Sequence, residues 1–97
     1  MNAISKVSDI TTSDIADYLR LSEVTADETN TLETLLSVAK SFIVNYTGQA
    51  EQSLDNFPDF VIVVLILCQD MWDNRALYVD KSNLNKVVDT ILGMHSI

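Results

Sequence analysis

The sequence predicts an all-α fold: a small four-helix domain with two long packed helices and two short flanking helices. Three observations predict it. Apolar residues recur at threes and fours over two long stretches, about 26–47 and 57–79. Two segments open with capping-box spacing, Thr11 with Asp14 and Thr25 with Glu28. Two glycines and one proline in 97 residues leave few places where a helix must break.

Residues 1–10 carry no periodic signal and are expected to be weakly structured. The first helix is predicted over about Thr12 to Leu21, with Ile15, Tyr18 and Leu19 on one face. Thr11 is its N-cap, Asp14 stands at N3, and Ile10 and Ile15 hold the two positions of a hydrophobic staple. Ser22–Ala26 reads as a linker. The second helix then opens at Thr25, with Asp27 and Glu28 where a helix N-terminus favours negative charge. Its stripe is Leu32, Leu35, Leu36, Ala39, Ile43 and Tyr46, widened by Val38 and Phe42, and Gly48 stops it.

Gln49–Asn56 reads as a polar, acidic loop. The third helix is predicted over about 57–79, with Asn56 as its cap and Pro58 in its first turn. Its Val and Ile content favours a strand, but an unbroken element of this length is too long for one. The solidly apolar run Phe60–Cys68 is nine residues, roughly half of what a bilayer span needs, so the element reads as a core helix. Asp80–Asn83 reads as a turn with Ser82 capping the last helix, where Leu84, Val87, Val88, Ile91 and Leu92 form the apolar face and Gly93 the stop. The whole of 1–97 reads as one domain.

Charge narrows the function. The formal net charge is −8, which disfavours a binder of phosphate backbones. Ten acids against Lys6, Arg20 and Lys40 make residues 1–59 carry −7 of it; residues 60–97 hold four acids and three bases, a balance of −1. Met1–Asp9 has neither the basic start nor the apolar stretch of a signal peptide, so synthesis in the cytoplasm is the expectation. Cys68, the lone cysteine, reads as a small buried hydrophobe. His95, the lone histidine, has no partner for nucleophilic or zinc chemistry and reads as a surface residue in a frayed tail. Asp70 and Asp73, three apart on one helical face, read as solvated surface beside Arg75. No glycine-rich phosphate loop is present. The expectation is no catalytic, cofactor or metal site.

Gln52-Ser53-Leu54-Asp55 faintly resembles the modified-serine motif of acyl carrier proteins. Gln52 stands where that family has Asp, and Pro58 moves the helix start downstream, so Ser53 reads as a loop serine. A second resemblance runs along nearly the whole chain. Ile10-Thr11-Thr12…Tyr18-Leu19-Arg20 is followed by Ala39-Lys40-Ser41-Phe42-Ile43…Tyr46-Thr47-Gly48. Then come Phe57-Pro58 and Trp72-Asp73-Asn74-Arg75, ahead of a short Leu/Val helix. This order resembles the head–tail connector (adaptor, head-completion) family of tailed bacteriophages and prophages. Its departures are the Val- and Ile-rich third helix and a short tail.

That resemblance implies a non-enzymatic virion protein at the head–tail junction. It would form a homo-oligomeric ring of about a dozen subunits with closed cyclic symmetry. The ring would sit beneath the portal protein, meet a downstream head-completion or tail protein, and extend the channel through which DNA passes without specific binding. No membrane is involved. Trp72, Asn74 and Arg75 match the family's pattern and are candidate interface residues, expected to tie the third helix's end to a neighbouring helix or subunit. Some of Asp9, Asp14, Asp17, Asp27, Glu28 and Glu33 are expected to face the lumen or a neighbour, where their charge would repel DNA phosphates. The alternative reading is an acidic small helical carrier or regulatory protein that binds a partner protein.

Overall fold

In the computed structural model, which describes residues 6–79 and 84–97, four α-helices and two short 3-10 helices surround one core, with no strand among the described residues. The helices are α1 (Thr12–Tyr18), α2 (Ala26–Thr47), α3 (Phe60–Asp73) and α4 (Lys86–Met94). The all-α, two-long-two-short arrangement expected from the pattern is the arrangement present. None of the described helices is long and apolar enough to cross a membrane.

α3 is the centre. Phe60, Val61, Val63, Val64, Leu65, Leu67, Cys68 and Met71 are buried, which covers almost its full circumference. A helix apolar on all sides is stable only when other elements surround it. Here α2 lies along it, α1 and α4 close two further sides, and the N-terminal 3-10 helix covers another. This enclosure overrides the strand preference of its β-branched residues.

α2 buries Leu32, Leu35, Ala39 and Ile43, the heart of the predicted stripe, while Leu36, Val38, Phe42 and Tyr46 form a half-buried rim. Thr47, also buried, was not foreseen as core. Its hydroxyl donates to the Ile43 carbonyl (2.7 Å) and accepts from the Gln49 N–H (3.1 Å), so the buried polar atom is satisfied. Gly48 ends the helix with φ 76, a left-handed conformation natural to glycine.

Both predicted capping boxes are formed. The Thr11 hydroxyl accepts from the Asp14 N–H (3.2 Å) and the Asp14 carboxylate accepts from the Thr11 N–H (2.8 Å). Thr25 and Glu28 exchange the same pair of bonds at 3.1 Å each. Ile10 and Ile15, the expected staple, are both buried.

Four expectations are corrected. The N-terminal segment is structured from Val7, which forms a 3-10 helix with Ser8 and Asp9 and is itself buried. A long-range fork holds it: the Ser8 N–H and hydroxyl donate to the two Asp55 carboxylate oxygens at 2.9 and 2.7 Å. Gln49–Asn56 is not an open loop, since Glu51–Asn56 forms a 3-10 helix that sinks Leu54 into the core.

α3 is shorter than predicted at both ends. Phe57 is extended, as a residue before proline tends to be, and the first helical bonds are Phe60 N–H to Phe57 C=O and Val61 N–H to Pro58 C=O. Asp59, not Asn56, takes the N-cap position, without a side-chain cap bond. At the other end the helix stops at Asp73, so Leu77 and Tyr78 are exposed instead of continuing the stripe.

α4 begins later than predicted. Its cap is Asn85, whose side-chain oxygen accepts from the Val87 and Val88 N–H groups. Gly93 lies inside its last turn. Ser82 and the expected turn Asp80–Asn83 lie outside the described residues.

Candidate functional site

The end of α3 collects the motif residues. Arg75 sits in the left-handed region with φ 52. Its N–H donates to the Trp72 carbonyl (3.3 Å), and the Ala76 N–H reaches back to Met71 (3.0 Å). These two bonds make a Schellman turn with arginine where glycine is usual. The Asn74 side-chain amide donates to the Asp70 carbonyl (2.8 Å), satisfying another of the helix's last carbonyls. The Arg75 guanidinium stands 5.0 Å from the centroid of half-buried Trp72, a cation–π distance. The expected tie to a neighbouring helix is thus, within this chain, a tie of the helix end to itself.

α1 ends in the same way and earlier than predicted, at Tyr18. Arg20 has φ 60; its N–H donates to Asp17 (3.1 Å) and the Leu21 N–H to Ala16 (3.0 Å). Leu19-Arg20 and Asn74-Arg75, the two arginine pairs of the sequence pattern, are therefore equivalent helix stops. Nothing in the primary sequence marked them so, because arginine carries no left-handed preference.

The candidate acids divide by role. Asp14 and Glu28 are half-buried and engaged in the capping boxes. Asp9, Asp17, Asp27 and Glu33 are exposed, with no lysine or arginine paired to them among the described residues. Asp27 adds negative charge to the first turn of α2, next to the capping box.

Beside the α3 end lies a groove of about 580 Å³ lined by Leu67, Asp70, Met71, Asn74, Ala76, Tyr78, Val79, Leu84 and Asn85. Asn74 and Asn85 already cap helix ends there. Partial desolvation, reinforced by the nearby Asp73 carboxylate, raises the pKa of the largely exposed Asp70 above its ordinary value. Elsewhere, burial pushes the Cys68 thiol up to about 12, which makes it an inert core residue. Ser53 lies half-buried inside the 3-10 helix and not at the start of α3. No group of three or more His, Cys, Asp or Glu among the described residues is placed to hold a metal ion.

The C-terminal residues are the clearest feature that sequence reasoning missed. His95 is no frayed surface residue. Its Nε2 is 2.9 Å from the Asp59 carboxylate, and its ring packs against Phe57 (4.4 Å) and edge-on to Phe60 (5.2 Å). The Gln49 side chain donates to the His95 carbonyl (2.9 Å) and the Ile97 N–H donates to the Thr47 carbonyl (2.8 Å). The tail thus clasps the corner between α2 and α3. Tyr46 also donates to Asp89, tying α2 to α4, and that bond raises the tyrosine's pKa.

A comparison with protein-family models, with curated proteins and with solved structures finds no match for this chain.

Proposed function

We propose that this chain is a structural subunit of a tailed-phage or prophage virion, a head–tail connector that completes the head. Copies assemble into a ring of about a dozen beneath the portal, in closed cyclic symmetry. The ring hands the DNA channel on to the next head-completion or tail protein.

One observation carries the reading. Of the segments that resemble the connector pattern, Leu19-Arg20, Tyr46-Thr47-Gly48, Phe57-Pro58 and Asn74-Arg75 fall at helix boundaries, while Ala39–Ile43 lies inside α2. A pattern of helix boundaries describes an architecture, which suits a protein whose work is assembly. The exposed acids Asp17, Asp27 and Glu33, without a lysine or arginine partner among the described residues, suit a surface that DNA slides past, since phosphates are repelled from it.

The test is light scattering behind size exclusion over a wide concentration range, with negative-stain imaging of any large species, alone and with the portal. Closed rings, free or on the portal, are the expected result. A subunit that stays monomeric at every concentration and ignores the portal overturns the proposal. Neutralising Asp17, Asp27 and Glu33 together to Asn or Gln should slow DNA ejection from assembled particles; unchanged ejection removes the acids from the lumen.

A further inference from the structure

We draw no further inference here: the strongest candidate, the outer face of α4 where Val87 and Met94 stand exposed one above the other, is an unpartnered apolar face, and nothing in the structure shows what covers it.

Discussion

Replacing Arg20 by glycine should stabilise the protein, and replacing Arg75 by glycine should not. Both residues hold a left-handed conformation, with φ 60 and φ 52, at the same position of the same helix-ending turn. That conformation costs an L-residue with a side chain about 1–2 kcal/mol. Glycine removes the cost but loses about 0.5–1 kcal/mol more backbone entropy on folding. The balance for Arg20→Gly is a gain of about 0–1.5 kcal/mol, centred at about 0.7, because the Arg20 side chain has no hydrogen bond, ion pair or ring contact among the described residues. Arg75 differs in one respect. Its guanidinium lies over Trp72, and an exposed cation–π contact is worth about 0.5–1 kcal/mol, which offsets the gain.

Thermal melts followed by circular dichroism read the difference. A gap of about 0.5–1 kcal/mol corresponds to about 2–8 °C in Tm for a domain of this size. Removing the ring with Trp72→Leu should make a second substitution, Arg75→Gly, as stabilising as Arg20→Gly. The reasoning fails if Arg20→Gly lowers Tm. It fails equally if the two glycine variants behave alike both with and without Trp72.

Three further outcomes are expected. Cys68 should resist a thiol-specific reagent at pH 8 in the native state and react fully in urea. Moving the thiol pKa from about 8.5 to about 12 cuts the thiolate fraction roughly a thousandfold or more, before steric protection is added; fast native labelling would contradict the burial. His95→Ala should cost about 1–2 kcal/mol and speed amide exchange at Ile97, since it removes both the Asp59 bond and the aromatic contacts; unchanged exchange would show that the tail is held without the histidine. The pH dependence of Tm should separate two carboxylates. The Ser8 hydrogen bonds lower the pKa of Asp55, so its contribution is complete above the unfolded value of about 3.9 and is lost as pH falls through the folded one. Asp70 has the opposite sign, because partial desolvation raises its pKa and stability declines as pH rises through the carboxylate range. Asp55→Asn should therefore flatten the acid limb, and Asp70→Asn should raise Tm more at pH 7 than at pH 3.

How much was legible varies by element. The capping boxes at Thr11 and Thr25 and the stripe of α2 depend on residues three and four apart, and these appeared where the spacing placed them. The ends of α3 and α1 did not. Their stops rest on Arg75 and Arg20 in a conformation that arginine does not advertise, held by backbone bonds that only the finished turn supplies. Of the candidate site, the residues at the α3 end were named in advance, but their mutual arrangement was not.

What the sequence by itself determined is the helical class, the caps at Thr11 and Thr25 and the dry stripe of α2, because periodicity and capping are local physics. What only the tertiary structure decided is everything joined across long separations: Ser8 to Asp55, Tyr46 to Asp89, His95 to Asp59, and Ile97 to Thr47. Each pairs common polar groups 36 or more residues apart for the side-chain contacts, and no local signal precedes such a bond. It forms because packing around α3 on nearly every side brings distant segments of the chain alongside one another.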